Sequence, residues 1–292
     1  MNIGIDLGSR TVKVAYLDSQ GQLLDSKIFD SISFYSNYRK PTAGRAFTLD
    51  LAKLGLSAED SLTATGYGKH GVQIEGIKTI SEQKAHMLGA IHQTGLNDFV
   101  LLDIGGQDTK IVKVVKGKMV DVYMNDKCGA SSGRYLENMA GVLKISLEEL
   151  SGYFKEPQSL NNTCAVFGES EVLSKIFEGV PVNNIAAGVN YSVFERVSTV
   201  LSTMVDASPI VFVGGVSKNK AIYEFLQLEY KVKIIIPQYE QLNGAIGAGI
   251  SEKVVCIPKH GIPDLRVKKL LSMGKEYFKK IIEIKRRLDK KS

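Results

Sequence analysis

The chain has 292 residues, of which 44% are hydrophobic and 23% charged, and its formal net charge is +6. Its length excludes the small scaffolds that need disulfides or metal ions to fold, and its composition excludes a wholly disordered chain. No apolar run approaches the roughly 18–20 residues that a membrane helix requires, and the N-terminus lacks the basic and apolar regions of a signal peptide. We therefore predict a cytoplasmic protein without a membrane span.

The positive charge is concentrated near the C-terminus. Residues 259–292 contain 12 Lys/Arg and 4 Asp/Glu, a net charge of +8, which leaves −2 for residues 1–258. A nearly neutral body argues against a nucleic-acid groove, so no nucleic-acid partner is predicted. Apolar residues at helical spacing in the basic segment predict an amphipathic helix; they are Leu270, Tyr277, Ile281, Ile284 and Leu288. Three interpretations of this helix stay open: packing on its own domain, docking to an acidic partner, or contact with an anionic membrane surface.

Strand and helix patterns alternate along the chain. Residues 3–17 and 99–115 each show the alternation of a β-hairpin with a glycine-containing tip. Between them, Ser81 is the predicted N-cap of a helix through about His92, on which His86 and His92 are interpreted as solvated or capping residues. Later predicted elements are helices at about 131–143, 169–178, 186–204 and 243–253, and strands at 210–213 and 234–237. This mixture predicts an α/β fold.

The two hairpins are copies of one pattern. A shift of 97 residues superposes Asp6 on Asp103, Gly8 on Gly105 and Lys13 on Lys110. A repeat of about a hundred residues is too long for a solenoid unit, so it predicts a duplicated domain.

Each hairpin tip has the chemistry of a phosphate loop. Glycine lacks a Cβ, so backbone N–H groups there can approach phosphate oxygens, and two facing tips would clamp a polyphosphate. Asp6 and Asp103 would stand beside the phosphates, where Mg²⁺ takes carboxylates and waters as ligands. A third glycine pair, Gly214 and Gly215, follows a predicted buried strand and is expected to line the adenosine end. The Rossmann and Walker patterns are absent from the first hairpin.

The hairpins, the loop at 214–215 and the small-residue helix at 243–250 together resemble the phosphate-1, phosphate-2, adenosine and connecting elements of the actin/Hsp70/sugar-kinase ATPase superfamily. This resemblance implies duplicated ribonuclease-H-like domains with a nucleotide cleft between them. The implied first domain is 1–97, completed by a helix at 243–256 that returns to it. The second domain is 98–242, and 257–292 is a basic amphipathic extension.

More narrowly, segments 102–110, 124–137 and 164–172 resemble the activator (archerase) components of 2-hydroxyacyl-CoA dehydratases, the BadF/BadG/BcrA/BcrD ATPase family. The resemblance implies one [4Fe-4S] cluster per homodimer, ligated by Cys128 and Cys164 of each chain. Thiolates suit iron, and two per chain require a twofold interface to supply four. Cys256 has no counterpart in these motifs and is interpreted as a buried structural residue.

The resemblance also implies the roles of the site residues. ATP or ADP is expected to contact Gly8, Ser9, Arg10, Thr11, Lys13, Gly105, Gly106, Gln107, Gly214 and Gly215. Asp6 and Asp103 would organise Mg²⁺ through its waters, and Asp103 and Gln107 are the catalytic candidates for orienting the attacking water.

The implied activity is an ATPase that delivers one low-potential electron. Reduced ferredoxin or flavodoxin would be the donor, and the acceptor would be a partner iron-sulfur dehydratase or benzoyl-CoA-type reductase. Two alternatives remain open at this point: a small-molecule kinase of the same superfamily and an actin-like scaffold controlled by nucleotide. The kinase alternative leaves Cys128 and Cys164 without a shared task.

Overall fold

The computed structural model describes residues 1–41, 47–50, 52–57, 60–66, 77–126, 129–160 and 165–251. Residues 1–253 form one unit. Cys128, Cys164 and Cys256 lie outside the described residues, as do the predicted C-terminal helix and the end of the predicted helix at 243–256.

The first half of the described chain begins with the predicted hairpin. In chain order its elements are β1 (Asn2–Leu7), β2 (Thr11–Leu17), β3 (Leu23–Asp30), α1 (Ser31–Tyr38), β4 (Arg39–Pro41), β5 (Phe47–Leu49), β6 (Ser61–Thr65), β7 (Lys78–Thr79) and α2 (Glu82–Thr94). Ser81 caps α2 as predicted, because its hydroxyl accepts a hydrogen bond from the Lys84 amide.

The second half repeats the opening and then becomes mostly helical. Its elements are β8 (Phe99–Ile104), β9 (Thr109–Val115), β10 (Lys118–Asn125), α3 (Gly133–Leu143), α4 (Leu147–Leu150), α5 (Ala165–Phe177), α6 (Val182–Met204), β11 (Ile210–Val213), α7 (Lys220–Glu229), β12 (Ile234–Ile235) and α8 (Asn243–Ile250). Short 3₁₀ turns at Gly129–Ser131 and Gly215–Lys218 precede α3 and α7. The predicted helices and strands of this half are all present, with shifted ends.

Two five-stranded sheets share one topology. Their strand orders are β3-β2-β1-β6-β7 and β10-β9-β8-β11-β12, and in each the first three strands are antiparallel while the last two run parallel to the strand that opens the hairpin. The shift of 97 residues is preserved in register, since Asp6 pairs with Lys13 and Asp103 pairs with Lys110. The duplication predicted from the sequence is therefore present in the strand pairing, while the domain boundaries at 97 and 242 stay a prediction.

Alternating residues of the central strand β8 enter two different cores. Phe99 and Leu101 face a core shared with α2, α8 and Leu17 of the first sheet. Val100 and Leu102 face a second core built on α3, α6 and α7. Because side chains alternate along a strand, a strand that is buried on both faces is expected to be mostly apolar, and Asp103 is the one charged residue of β8.

Helices α2 and α8 pack against each other at very close range, and α8 also contacts β1, β2 and β6. The approach depends on glycine: a Cβ at Gly247 would strike the Ala85 carbonyl and lie 2.7 Å from the Gly89 amide, both in α2. Within the described residues, no helix is long and apolar enough to cross a membrane.

This packing predicts opposite effects for two Gly→Ala substitutions in helices. Gly247→Ala should destabilise the protein by about 1–3 kcal/mol, because the added methyl group forces α2 and α8 apart. Gly141→Ala in α3 is the matched control: its Cβ would meet open space, and it should stabilise by up to about 1 kcal/mol through helix propensity. Urea unfolding of both variants measures the difference, and equal stabilities would contradict the close packing.

Candidate functional site

A cavity of about 650 Å³ lies where the two hairpin tips face each other. This volume is within the range of small-molecule and cofactor sites. Eleven of the residues predicted from the sequence line it: Asp6, Gly8, Ser9, Arg10, Thr11, Lys13, Asp103, Gly105, Gly106, Gly214 and Gly215. Gln107 is exposed and is not among the lining residues.

Each hairpin places a carboxylate and an ammonium group on facing strands. Directly opposite residues of an antiparallel pair project on the same face, so the registered pairs can meet. Lys13 Nζ lies 3.1 Å from Asp6 Oδ2, and Lys110 Nζ lies 3.4 Å from Asp103 Oδ2. Burial acts to lower the pKa of Lys13, but the Asp6 carboxylate outweighs it and raises that pKa above its ordinary value. Both lysines are therefore charged at neutral pH.

Lys110 is shared among three carboxylates. Its Nζ is 2.6 Å from Asp108 Oδ2 and 3.9 Å from Glu82 Oε2, in addition to the contact with Asp103. Its side chain is only 3% exposed. Burial opposes the charge, yet the three carboxylates raise the pKa of Lys110 well above its ordinary value. Burial raises the pKa of the Glu82 carboxyl above its ordinary value.

His86 corrects one expectation from the sequence. We interpreted it as a solvated or capping residue, but it is buried in α2, and its Nδ1 lies 3.4 Å from Asp103 Oδ2. Burial alone would raise the pKa of Asp103, but His86, Lys110 and Lys13 outweigh it and hold that pKa below its ordinary value. The second histidine, His92, is exposed as expected.

The floor of the cavity is therefore acidic overall. We define the acidic floor as four carboxylates and two ammonium groups, those of Asp6, Glu82, Asp103, Asp108, Lys13 and Lys110. With all of them ionised the floor carries a charge of −2. A polyphosphate brought to this floor would be repelled unless a cation accompanied it.

The third glycine pair closes the cavity against the second hairpin. Gly214 has a φ of +88°, and a Cβ there would lie 2.5 Å from Asp103 Oδ1 and from the Ile104 carbonyl. Glycine is required both by this backbone conformation and by this approach. Gly215 and the polar side chains of Lys218 and Gln241, which contact each other at 3.2 Å, continue the lining beyond it.

Helix α3 is fastened to both hairpin tips. The amides of Gly133 and Arg134 donate to the carbonyls of Gly105 and Gly106, each at 2.9 Å. From the first hairpin, Arg10 Nε lies 3.4 Å from Glu137 Oε1 of α3. Arg10 Nη1 lies 2.7 Å from Asp30 Oδ2. The second glycine tip is thus hydrogen-bonded to the start of α3, while the first hairpin forms an ion pair with Glu137 further along the helix.

Among the described residues, no group of three or more His, Cys, Asp or Glu side chains is arranged to hold a metal ion. Mg²⁺ does not need such a cage, because it is usually held by one or two carboxylates with waters and substrate phosphates. Asp6 and Asp103, both lining the cavity, fit that requirement. The predicted cluster ligands Cys128 and Cys164 lie outside the described residues.

Comparison with known proteins identifies the family. A profile of the BadF/BadG/BcrA/BcrD ATPase family matches residues 3–250. The chain belongs to this ATPase family. The predicted family and the predicted fold class are both confirmed.

Two relatives that are named as dehydratase activators align with nearly all of the residues that the family profile matches. The 2-hydroxyisocaproyl-CoA dehydratase activator of Clostridioides difficile is 34% identical over 259 residues, covering 85% of this chain and 93% of that protein. The (R)-2-hydroxyglutaryl-CoA dehydratase activating ATPase of Acidaminococcus fermentans is 31% identical, covering 85% and 95%. A solved structure of the former activator, with bound ADPNP, has a TM-score of 0.72 at 30% identity and covers 89% of this chain and 99% of that chain.

Four titratable residues around Asp103 were not predicted as site residues from the sequence: Glu82, His86, Asp108 and Lys110. A signal existed for Lys110, because the repeat aligns it with Lys13, a predicted phosphate-binding residue. Asp108 is two positions away on the same hairpin. Glu82 and His86 gave no signal, because the position of α2 over the second hairpin is set by packing with distant parts of the chain.

The buried network around Lys110 predicts a large stability effect. Lys110→Met should cost about 3–5 kcal/mol, since it leaves buried carboxylates without their cation. Lys113→Met, on the same strand, is the control: Lys113 pairs with the half-exposed Asp206 at 2.7 Å, so its loss should cost at most about 1 kcal/mol.

We also predict that the difference in the free energy of unfolding between Lys110→Met and wild type depends on pH. Because the pKa of Asp103 is lowered in the native protein, its stabilising contribution is present above the unfolded value of about 3.9 and is lost as pH falls through the lower native value. In Lys110→Met, protonation of the carboxylates relieves their repulsion. Urea unfolding at pH 7 and at about pH 3, below the unfolded value, should therefore show a smaller difference in the free energy of unfolding between variant and wild type at the lower pH. A constant gap would contradict the network.

Proposed function

We propose that this protein is an ATP-hydrolysing activator that passes one low-potential electron to a partner iron-sulfur enzyme. Its relatives include dehydratase activators and a benzoyl-CoA reductase subunit, so the partner is proposed to be a 2-hydroxyacyl-CoA dehydratase or a related reductase. Reduced ferredoxin or flavodoxin is the proposed donor. The chain acts as a homodimer in the cytoplasm.

The fastening of α3 to the second glycine tip carries this proposal. The Gly133 amide donates a hydrogen bond to the Gly105 carbonyl, and Gly133 follows Cys128 by five residues in the sequence. The 3₁₀ turn at Gly129–Ser131 is fixed as well, since Thr109 Oγ1 donates to the Ser131 carbonyl at 2.6 Å and Arg196 donates to the Ala130 carbonyl at 2.8 Å. A change at the phosphate tip therefore has a short, hydrogen-bonded route to the segment 129–134, which follows Cys128 in the sequence.

The cavity supports nucleotide binding with a divalent cation. The glycine tips supply backbone space for phosphates, and Lys13 and Arg10 supply positive charge. The acidic floor carries −2, so Mg²⁺ held by Asp6 and Asp103 would offset the repulsion between floor and phosphates. Asp103 is also proposed to orient the attacking water. Gln107, exposed at the same tip, is the second candidate for that role.

Cys128 and Cys164 are proposed to bind one [4Fe-4S] cluster together with the same two residues of the partner subunit. Such a cluster stores the single electron that the partner enzyme requires. ATP shifts the protein between two conformations only if it binds them with different affinity. The bonds between Gly105, Gly106 and α3 provide a physical basis for that difference, because they tie the phosphate contacts to the helix that follows Cys128.

Removal of the Asp103 carboxylate should separate ATP turnover from iron binding. We expect Asp103→Ala to lower kcat for ATP hydrolysis at least about 100-fold, the usual scale for losing a group that acts on the transition state. Its iron content should equal that of wild type. Asp206→Ala, which removes an exposed carboxylate elsewhere, should retain kcat. Loss of iron in Asp103→Ala would contradict two separable sites.

Cysteine substitution tests the cluster directly. Protein purified without oxygen should contain about four irons and four sulfides per dimer, and Cys128→Ser or Cys164→Ser should abolish this content. Cys256→Ser is the matched control and should retain iron. An iron-free monomer from oxygen-free wild-type preparations would refute the electron-transfer role, while ATP hydrolysis by the same protein would still identify the ATPase.

A further inference from the structure

The buried imidazole of His86 has no role in the proposed function. His86 lies on α2 with its side chain 8% exposed and contacts functional elements on two sides. Its Nδ1 is 3.4 Å from Asp103 Oδ2. Its other nitrogen, Nε2, lies against Gly244 of α8, where a Cβ would approach it to 2.6 Å.

The Nδ1 atom of His86 is unsatisfied. Among the described residues it has no hydrogen-bond partner, although it is buried. A neutral imidazole carries its hydrogen on one nitrogen and a lone pair on the other. A lone pair directed at the Asp103 carboxylate would be repelled by it, so electrostatics require the hydrogen to be on Nδ1. His86 Nδ1–H then lies 3.4 Å from Asp103 Oδ2, close enough for electrostatic attraction although the pair does not have hydrogen-bond geometry.

Among the described residues, the contact between His86 and Asp103 has no counterpart at Asp6, the equivalent position of the first hairpin. In the first hairpin, Asp6 has Lys13 at 3.1 Å, closer than the 3.4 Å that separates Asp103 from Lys110. Lys110 is instead nearest to Asp108, at 2.6 Å. Asp103 is thus held less firmly by its own lysine than Asp6 is, and His86 supplies a second group on the same oxygen.

We propose that His86 is a positioning residue for Asp103, and this inference rests on the proposed ATPase function. With His86 and Lys110 on Oδ2 and the Gly214 backbone beside Oδ1, the carboxylate is fixed in rotation. Because His86 is also packed on Gly244, the spacing of α2 and α8 sets the position of the imidazole. A shift between these helices is thereby transmitted to Asp103.

Three substitutions at His86 separate positioning from packing. The amide nitrogen of His86→Asn can occupy the place of Nδ1, that of His86→Gln reaches the place of Nε2, and His86→Leu has no donor. We expect kcat to stay within about threefold of wild type in His86→Asn and to fall about tenfold or more in the other two, the scale of a misplaced catalytic group. The Kd for ATP should change by less than about threefold in all, because Asp103 rather than a phosphate contact is affected.

His92→Asn, on the same helix and exposed, is the control and should behave as wild type. An unchanged kcat in His86→Leu would overturn the proposal. So would an equal loss in His86→Asn and His86→Leu, which would assign the ring to packing alone. Thermal unfolding of each variant shows whether a loss of kcat reflects a loss of folded protein.

A measurement that is independent of ATP turnover keeps this inference distinct from the proposed function. The chain has four histidines, so ¹⁵N-labelled imidazoles can be assigned by comparison with His86→Asn. We expect His86 to carry its hydrogen on Nδ1 and its ¹⁵N shift to change in Asp103→Asn. An unprotonated Nδ1 would overturn the positioning contact even if the protein hydrolyses ATP. The expected spectrum in a protein that does not hydrolyse ATP would instead overturn the proposed function.

Gly244→Ala tests the link to α8. The added methyl group displaces the imidazole from Asp103, so kcat should fall as in His86→Leu, and the double variant should show no further loss. Fully additive losses would contradict transmission through His86, because independent sites add whereas coupled ones do not.

Discussion

Two buried carboxylates, each with a lysine directly opposite it on the facing strand, are the constraint on which this site depends. Burial of a carboxylate without a partner favours its protonated form, which lacks the negative charge that attracts a cation and its bound waters. Asp6 and Asp103 each have a cationic partner, because Lys13 and Lys110 lie directly opposite them in the strand register. The shared topology of the two sheets gives each carboxylate the same relation to its lysine, and both carboxylates line one cavity.

The strand patterns and the repeat of 97 residues were sufficient to predict the hairpins, the duplicated sheet and the aspartates and glycines of the hairpin tips that line the cavity. They were sufficient because a strand has a period of two, so register decides which side chains meet. The position of α2 over the second hairpin could not be predicted in this way. It depends on Gly244 and Gly247, more than 150 residues away, which admit α2 to close contact, and this contact buries His86 and Glu82 beside Asp103. Gln107 shows the opposite limit, since a motif position beside two lining glycines is nevertheless exposed.

The two halves have diverged most in what surrounds the repeated pairs. Asp6 has one nearby lysine, whereas Asp103 belongs to a network with Lys110, Asp108, Glu82 and His86. A network whose members share partners responds as a unit, so a displacement of one group changes the others. A change in the packing of α2 against α8 can therefore alter the surroundings of Asp103. Asp103 is also the carboxylate that lies beside Gly214, at the far side of the cavity.

The connections from the two tips to α3 differ in strength, and this difference determines which part of the site can move. Gly105 and Gly106 hold α3 through its first backbone amides, groups that would otherwise lack partners at a helix N-terminus. Arg10 holds Glu137 through an ion pair whose members are 42% and 34% exposed, and exposed pairs contribute little to stability. A phosphate can therefore compete with Glu137 for Arg10 at small cost, while it cannot readily detach α3 from the second tip. The first hairpin is then held to α3 by a weaker contact than the second hairpin is.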